Sequence, residues 1–395
     1  MEEKKYPDKK KRIPNESGIG IYIHWPFCKS LCPYCDFNSY VSEKIDMDHW
    51  SAAYKKALKI SAMQVDNNLV HSIYFGGGTP SLMSSRLVYE VINEISKEFK
   101  VSSDAEISLE ANPTSAEYSK FKSYSASGVN RCSLGIQALN DSDLKSLGRL
   151  HSVNDALRAF DSARQCFKTS SFDLIYGRQN QTIGNWENEL KRAMSLDPQH
   201  LSLYQLTIEP GTPFFKLQQK NLLKGLPNDR KSCAFYTKTK EICKNNELIH
   251  YEISNFATKG HESVHNLNYW RYGDFIGIGP GASGRISING NKHETKGHKN
   301  PMKWLGGVLK NGGEIYSVSM PLSFIDQAKE YAVMSFRLKE GLNIDRFNSL
   351  SESKLSLTKV GELREMGLID KSNNSLYTTE KGELLLNSIL SHLLN

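Results

Sequence analysis

The chain has few long apolar runs and few features of an exported protein. None of its 395 residues belongs to an uncharged apolar stretch of about 18 residues, so no transmembrane span is predicted. No apolar segment follows Met1, and the early acids Glu2 and Glu3 argue against a mitochondrial transit peptide. The sequence therefore predicts a cytoplasmic protein in a reducing compartment.

Cysteine is also scarce, with seven residues in the whole chain. A long, cysteine-poor chain without an export signal is not a disulfide scaffold. Zinc sites usually need a fourth Cys or His, and C-x₂-C pairs normally come in twos. The scattered cysteines supply no such second pair, which argues against a zinc ribbon; they are Cys132, Cys166, Cys233 and Cys243.

The other cysteines are clustered as C-x₃-C-x₂-C, at Cys28, Cys32 and Cys35. Thiolates this close together can all turn toward one centre. They are one short of the four that normally fill a [4Fe–4S] cluster, so one iron would be open to a ligand from outside the protein. The alternative is that the three are buried cysteines brought together by chance.

The net charge of +7 is modest, and residues 1–18 include the basic run Lys9–Arg12. We expect this segment to be a solvated, flexible basic tail. Contact with an anionic partner or a membrane surface is the alternative. No basic stripe interleaved with aromatic residues is present, so a nucleic-acid partner is not predicted.

Residues 19–245 are predicted to form one α/β domain, because short β-rich runs alternate with amphipathic segments as far as about residue 208. Such alternation predicts parallel strands, arranged as an open sheet or an incomplete (β/α)₆ barrel. The predicted strands are Ile19–His24, Ser72–Phe75, Glu106–Glu110, Arg131–Ile136, Phe172–Tyr176 and Leu201–Leu206. The predicted helices include His49–Gln64, Ser85–Phe99, Asn154–Phe167 and Trp186–Met194.

Polar or glycine-rich residues recur near the ends of these strands, where a (β/α) barrel builds its active site. The second strand continues into Gly76-Gly77-Gly78-Thr79-Pro80, and Glu110, Gln137 and Asp173 belong to later strands. The glycines match neither a P-loop nor a dinucleotide-binding fingerprint. They are either a turn that lets a ligand approach the backbone closely or simply a tight turn. Each polar residue alone could equally be a satisfied strand-end residue.

Residues 246–395 form a second predicted region of α+β character. A hairpin is expected around Asn373-Asn374, and this order of elements suggests a winged-helix-like module. Interspersed glutamates dilute its basic character, so we favour packing or partner docking over DNA binding. The predicted helices are Ile325–Phe336, Lys354–Met366 and Lys381–Leu394.

From about residue 19 onward the chain resembles the radical S-adenosylmethionine (SAM) superfamily. Within it the chain is similar to the branch that contains oxygen-independent coproporphyrinogen III oxidase (HemN) and the haem chaperone HemW. The motifs that carry the resemblance are the three spaced cysteines, Gly76–Pro80, Tyr22–Cys28, Leu109–Pro113, Gly135–Leu139, Gly148–His151, Phe172–Gly177 and Tyr204–Pro213.

The resemblance implies a [4Fe–4S] cluster and SAM as cofactors. Cys28, Cys32 and Cys35 would ligate three irons, and SAM would chelate the fourth. Tyr22 and Tyr34 would flank SAM, while Gly77, Gly78 and Thr79 would take its amino-acid end. Its charged and ribose groups would be held by Glu110, Gln137, Arg149 and Asp173.

Two features favour HemW over HemN within this branch. The oxidases carry a fourth cysteine where this chain has Phe37, and His265–Trp270 resembles the H-N-x-x-Y-W motif associated with haem binding. His265 would then ligate haem, or it would only form a hydrogen bond. The resemblance thus implies a haem chaperone that serves an acceptor protein, with HemN-type oxidase activity as the alternative. Whether the chain is itself an enzyme stays open.

Two further expectations concern partners and a departure from the family. The resemblance allows a cluster-dependent homodimer and a membrane-associated acceptor. Where the family usually continues Leu-Pro-Gly-Gln-Thr, this chain has Arg178-Gln179-Asn180-Gln181-Thr182. Loss of proline and glycine alters the turn, and Arg178 is expected to add a cation near the SAM mouth.

Overall fold

The structure is a computed structural model that describes residues 18–42, 44–310, 313–351 and 354–394. The predicted basic tail, including Lys9–Arg12, therefore lies outside the described residues. No helix in the described ranges is long and apolar enough to cross a membrane.

The six predicted strands are all present and pair in parallel, in the order in which they occur along the chain. Their ends differ from the prediction most in the third, which begins at Lys100 rather than Glu106. Its first two residues, Lys100 and Val101, pair with Leu69 and Val70, and the register then shifts between Val70 and Ser72. The strands of this part are β1 (Ile19–Trp25), β2 (Phe27–Cys28), β3 (Tyr40–Val41), β4 (Leu69–Gly77), β5 (Lys100–Ala111), β6 (Arg131–Gln137), β7 (Thr169–Tyr176) and β8 (His200–Gln205).

The four predicted helices of this part are also present, each within three residues of its expected ends. In α2 the side chains of Leu87, Val91 and Ile95 are buried together, as their helical spacing predicts. The helices are α1 (Met47–Ala62), α2 (Ser85–Glu98), α3 (Ser115–Tyr118), α4 (Phe121–Ala126), α5 (Asp141–Ser146), α6 (Val153–Cys166), α7 (Ile183–Met194), α8 (Pro213–Gln219) and α9 (Asp229–Asn245).

Alternation along the strands separates an apolar face from a polar one. On β1, Ile21 and Ile23 are fully buried in the main hydrophobic core. The intervening Tyr22 and His24 contact polar and aromatic side chains of the other face. The concave side of the sheet is therefore a polar interior, and the helices cover the apolar side.

The same sheet extends beyond the six parallel strands and holds twelve strands among the described residues. One edge is formed by antiparallel strands that follow β8, and the other by strands next to β1. The main core likewise includes residues on both sides of residue 245, such as Phe235 and Phe256. The added elements are β9 (Ile249–Glu252), β10 (Asn255–Ala257), α10 (Val264–Trp270), β11 (Phe275–Ile278), β12 (Ser283–Ile288), β13 (Asn291–Lys296), α11 (Pro301–Leu309) and β14 (Ser317–Val318).

A second hydrophobic core holds a small C-terminal module. It reads helix, strand, helix, helix, strand, strand, with a three-stranded sheet, which is the order of a winged helix. The predicted continuous helix Lys381–Leu394 is instead two helices, separated by a turn at Leu384 and Leu385. The elements are α12 (Phe324–Ser335), β15 (Leu342–Asn343), α13 (Ile344–Leu350), α14 (Leu357–Glu365), β16 (Ile369–Ser372), β17 (Ser375–Thr378), α15 (Glu380–Glu383) and α16 (Leu386–Leu394).

Candidate functional site

The clustered cysteines lie at a cavity over the carboxyl ends of the parallel strands. Cys28 ends β2, and Cys32 and Cys35 belong to the loop between β2 and β3. All three are half-buried and line the same cavity of ≈ 420 Å³. The structure therefore brings together the three side chains that the spacing singled out.

Hydrogen-bond donors point at two of the sulfur atoms. The Thr79 hydroxyl donates to Sγ of Cys28 over 3.4 Å, and Nη1 of Arg149 donates to Sγ of Cys32 over 3.3 Å. Burial raises the pKa of Cys35 to about 11, so this thiol is protonated without a metal. A bound metal removes such protons outright. The two donors would then stabilise thiolates.

The donor set fits a cluster better than a single ion. Within the described ranges, no three His, Cys, Asp or Glu side chains converge on one point that could hold a single metal ion. In a [4Fe–4S] cluster each thiolate binds a different iron, so the sulfurs need to surround a larger body. Three cysteines around one cavity, two with hydrogen-bonded sulfurs, meet that requirement.

The glycine turn lies on a floor of aromatic rings. A Cβ on Gly76 would be 2.8 Å from Cε2 of Tyr22, and one on Gly77 would be 2.5 Å from Cε1 of His24. Gly77 also has φ +112°, which L side chains rarely adopt. These positions therefore need glycine for close packing and for the backbone conformation. Gly77, Gly78 and Thr79 line the cysteine cavity.

Two carboxyl groups on the cavity wall have raised pKa values. Burial raises the pKa of Glu110 to about 7 and that of Asp173 to about 6. Glu110 accepts from the Tyr74 hydroxyl over 2.8 Å and from the Gly77 backbone N–H over 3.2 Å. Neither carboxylate forms an ion pair with a cation among the described residues. The wall is thus suited to a ligand that brings positive charge or hydroxyl groups.

Gln137 and Arg149 complete this wall with buried groups that lack partners. Gln137 has φ +73°, and its Oε1 atom is buried without a hydrogen-bond partner among the described residues. The Arg149 Nε atom is likewise unpartnered there, although its Nη2 donates to the Gly135 carbonyl over 2.8 Å. Buried polar groups are normally satisfied. Their orphaned atoms therefore indicate a polar ligand in the cavity.

The two tyrosines predicted to flank SAM lie in different places. Tyr34 lines the cysteine cavity, and burial raises the pKa of its hydroxyl. Tyr22 lies below the glycine turn and lines an adjoining cavity of ≈ 490 Å³, where its hydroxyl is 3.0 Å from Nδ1 of His24. The two cavities share Gly77, Glu110 and Phe37 as walls. The glycine turn therefore separates Tyr22 from the cysteine cavity.

His265 is buried in the polar interior, with a residue exposure of 8%. Its Nδ1 lies 3.0 Å from Oγ of Ser72, and its ring stacks on Tyr74 with 5.0 Å between centroids. Burial lowers its pKa to about 3, so the ring is neutral. It lines neither cavity. Of the two sequence-based interpretations, this geometry favours the hydrogen-bonding one.

The expectation for Arg178 as a cation at the SAM mouth is wrong. Its side chain is 5% exposed and its guanidinium pairs with Glu189 at 2.5 Å and with Asp143 at 3.0 Å. Nη1 also donates to the Ile175 carbonyl over 2.8 Å. The charge is neutralised inside the protein, because a buried cation needs paired carboxylates.

Two residues of the site were missed by sequence reasoning. Asn112 donates from Nδ2 to the Thr79 hydroxyl over 3.1 Å and accepts from Arg149, so it joins the donors to both sulfurs. Tyr74 binds Glu110. Asn112 stands inside the quoted motif Leu109–Pro113, which was a usable signal. For Tyr74 the only signal was its position two residues after Ser72 on β4, which puts both side chains on the same face of the strand.

Comparisons with known proteins show the family of the chain. A family model for the radical SAM superfamily matches residues 22–193. The chain is 35% identical over 381 residues to the protein named heme chaperone HemW of Buchnera aphidicola subsp. Schizaphis graminum, covering 94% of this chain and 97% of that protein. It is also similar to the bovine (Bos taurus) protein named radical S-adenosyl methionine domain-containing protein 1, mitochondrial. The two are 34% identical over 398 residues, which cover 97% of this chain and 88% of that protein.

One solved structure matches over nearly the whole chain. It is coproporphyrinogen III oxidase (HemN) from Escherichia coli, described as a radical SAM enzyme. The TM-score is 0.79 at 22% identity, covering 96% of this chain and 90% of that chain. At this identity the likeness shows the fold, including the C-terminal α+β region.

Proposed function

Because the chain belongs to the radical SAM superfamily as a HemN/HemW-like protein, we propose that it is a haem chaperone. It binds haem and passes it to an acceptor protein, on a scaffold that carries a [4Fe–4S] cluster and SAM. The observation that carries the proposal is similarity along almost the entire chain to proteins named as haem chaperones.

The cavity residues support the two cofactors. Cys28, Cys32 and Cys35 hold three irons of the cluster. When bound, the cluster supplies one-electron chemistry to SAM. Gly77, Gly78 and Thr79 offer backbone and hydroxyl groups to the amino-acid end of SAM. The other SAM-binding residues are Tyr34, Glu110, Gln137, Arg149 and Asp173, with Tyr22 below the turn.

The polar side chains of the cavity bind different parts of the ligand. Arg149 donates to Cys32 and keeps unpartnered N–H capacity for a carboxylate. Glu110 and Asp173 accept from an ammonium or from ribose hydroxyls, and burial around them excludes water. Gln137 offers its free Oε1 to the same ligand.

Phe37 favours the chaperone over the oxidase. Its side chain is 61% exposed at the mouth of the cysteine cavity, where the oxidases of this branch carry a further cysteine. Phenylalanine has no thiol to offer to iron or substrate. An oxidative decarboxylase of coproporphyrinogen III remains the second candidate, because the HemN fold is shared over the whole chain.

The test combines haem binding, haem transfer and oxidase activity on one preparation. The anaerobically reconstituted protein is titrated with haem and followed at the Soret band, then mixed with apomyoglobin as a probe acceptor. A chaperone binds haem in a saturable way near one per chain and loses it to the apoprotein. SAM- and dithionite-dependent decarboxylation of coproporphyrinogen III, without saturable haem binding, would overturn the proposal in favour of the oxidase.

The haem ligand is tested with His265→Ala and a matched control. The control is His298→Ala, which removes an exposed imidazole from the surface. If His265 ligates the iron, only its substitution weakens the Soret band. If both variants bind haem like the parent, the chaperone stands and the ligand is another residue.

The cellular setting is part of the same proposal. We place the protein in the cytoplasm, with an acceptor that is either soluble or membrane-associated, and with a homodimer that depends on the cluster. Sedimentation of the protein before and after reconstitution tests the homodimer. Flotation with vesicles containing anionic lipid tests contact with a membrane.

A further inference from the structure

His265 belongs to a group of three aromatic rings in the polar interior that contact one another pairwise. Tyr74 stacks on it at 5.0 Å with 26° between the planes, and Tyr22 stacks on Tyr74 at 6.2 Å with 27°. Tyr22 also contacts His265, with 6.3 Å between the centroids and 33° between the planes, so the three ring centroids form a triangle. The three rings therefore support one another as a unit, which we call the Tyr22–Tyr74–His265 stack.

The glycine turn rests directly on this stack. A Cβ on Gly76 would be 2.8 Å from Cε2 of Tyr22 and 3.0 Å from Cε1 of Tyr74. The backbone of Gly76 therefore packs against both rings with no room for a side chain between them. A shift of either ring therefore moves the turn, including Gly77 and Gly78, which line the cysteine cavity.

The same stack holds the nearest carboxyl group. The Tyr74 hydroxyl donates to Oε1 of Glu110 over 2.8 Å, while the Gly77 N–H donates to Oε2 over 3.2 Å. Glu110 thus bridges the stack and the turn. Its position at the cavity depends on where Tyr74 lies.

His265 is fixed from below by two other elements. Its Nδ1 is 3.0 Å from the Ser72 hydroxyl, and its backbone N–H donates to Oε1 of Glu106 over 3.3 Å. Glu106 also forms an ion pair with Arg131 at 3.6 Å. The imidazole is therefore held on the side of the stack that faces away from the cavity.

We propose that His265 is a positioning residue of the SAM site: its ring sets the height and tilt of Tyr74, which places Glu110 and the glycine turn against the ligand. This inference rests on SAM as the ligand of the cysteine cavity, which belongs to the proposed function. It assigns the first residue of the H-N-x-x-Y-W motif to SAM binding by way of its ring, and it needs no haem at that histidine.

The test separates the ring from its nitrogens. His265→Ala removes the ring, while His265→Phe in a Ser72→Ala background keeps a ring and removes both the nitrogens and the unpaired hydroxyl. On reconstituted protein, equilibrium dialysis with SAM measures affinity, and thermal unfolding checks the fold. We expect His265→Ala to weaken SAM binding by about tenfold. The Phe variant keeps a ring beside Tyr74. Its SAM affinity should therefore stay within about twofold to threefold of the parent, a change well under the tenfold step that corresponds to about 1.4 kcal/mol.

Two more variants keep the result decisive. Tyr74→Phe preserves the ring but removes the bond to Glu110, so it should weaken SAM binding even if His265→Ala fails to fold. His298→Ala is the matched control and should leave SAM affinity unchanged. Combining Tyr74→Phe with His265→Ala should cost less than the product of the two effects, because both act through Glu110.

The outcomes distinguish this inference from the proposed function. Parent-like SAM affinity in a folded His265→Ala variant overturns the positioning role and leaves the chaperone untouched. Equal weakening in the Ala and Phe variants overturns the role of the ring. Loss of haem binding in both variants with unchanged SAM affinity restores His265 as a haem ligand and overturns this inference. Absence of SAM binding in the parent removes the cofactor assignment and this inference with it.

Discussion

Arg149 and Cys32 are joined by a hydrogen bond of 3.3 Å from Nη1 to Sγ, across 117 positions of the chain. The same guanidinium donates to the Gly135 carbonyl over 2.8 Å. The cysteine loop is thereby tied to strand β6. The positive charge beside the Cys32 sulfur is therefore held in place by β6, the fourth parallel strand.

Arg149→Met is expected to make the cluster harder to reduce. Hydrogen bonds to cluster sulfurs and nearby positive charge favour the more negative reduced state. The lost bond to a charged group is worth on the order of 2 kcal/mol. A redox titration followed by electron paramagnetic resonance should show a more negative midpoint potential. Arg164→Met, which removes a guanidinium paired with exposed Asp197, is the control and should keep the parent potential.

Replacing any one of Cys28, Cys32 or Cys35 by alanine is expected to abolish stable cluster assembly. Two thiolates cannot replace three around the same cavity. Iron and sulfide per chain after reconstitution measure the effect, with near-complete loss expected. Cys233→Ser is the matched control, because that half-buried cysteine belongs to α9 and lines neither cavity. Full iron content in a cysteine variant of the loop would contradict the ligand assignment.

Arg178→Met is expected to destabilise the fold without affecting SAM binding. It leaves Glu189, whose side chain is 8% exposed, without its cation. Breaking one side of a buried pair costs about 3–5 kcal/mol of unfolding free energy. Urea denaturation measures this loss. The double variant Arg178→Met/Glu189→Leu should recover much of it, since neither charge then remains unpaired. A change in SAM affinity instead would return Arg178 to the cavity mouth.

SAM affinity is expected to rise with pH up to about 7. Burial raises the pKa of Glu110 to about 7 in the free protein, above its ordinary 4.5. An ammonium prefers the ionised carboxylate, so binding below pH 7 requires Glu110 to release its proton. Ionisation of Glu110 should therefore raise the affinity by at most tenfold per pH unit below 7 and have no effect above it, while Asp173, whose pKa is raised to about 6, adds a further dependence below 6.

Isothermal titration in buffers of different ionisation enthalpy measures that proton directly. At pH 6.5 the parent should release a substantial fraction of one proton on binding SAM. Glu110→Gln should release less and bind more weakly, while Glu187→Gln, which removes a carboxyl paired with Lys191 outside both cavities, is the control. Identical proton release in Glu110→Gln would exclude Glu110 as the linked group.

Much of the site could be predicted from sequence because its signals are local. The spacing of Cys28, Cys32 and Cys35 brings their thiols to one loop, and glycine at 77 matches its positive φ. The alternation of strands and helices likewise predicts the parallel order, since period and turn residues are properties of short segments. The additions at the sheet edges, β9–β10 and β11–β14, were not predicted as strands, because they join the sheet through pairing of β11 with β1 and of β10 with β8, which are distant in the chain.

Other features depend on contacts between distant segments. The sequence predicts a free cation at Arg178, because its partners Asp143 and Glu189 lie 35 and 11 positions away on other elements. Gly382 of α15 leaves no room for a side chain, because the Leu368 carbonyl lies against it. Neither contact has a periodic or spaced pattern that would reveal it.

The cysteine loop, the glycine turn and the succession of parallel strands follow from the amino-acid sequence, because each depends on neighbouring residues and backbone preferences. The orientation of the buried side chains and the choice of their partners depend on the tertiary structure. It placed His265 beneath Tyr74 and Arg178 inside an ion pair. The physical reason is that desolvated polar groups must find partners, and those partners are chosen by the packing of the whole sheet.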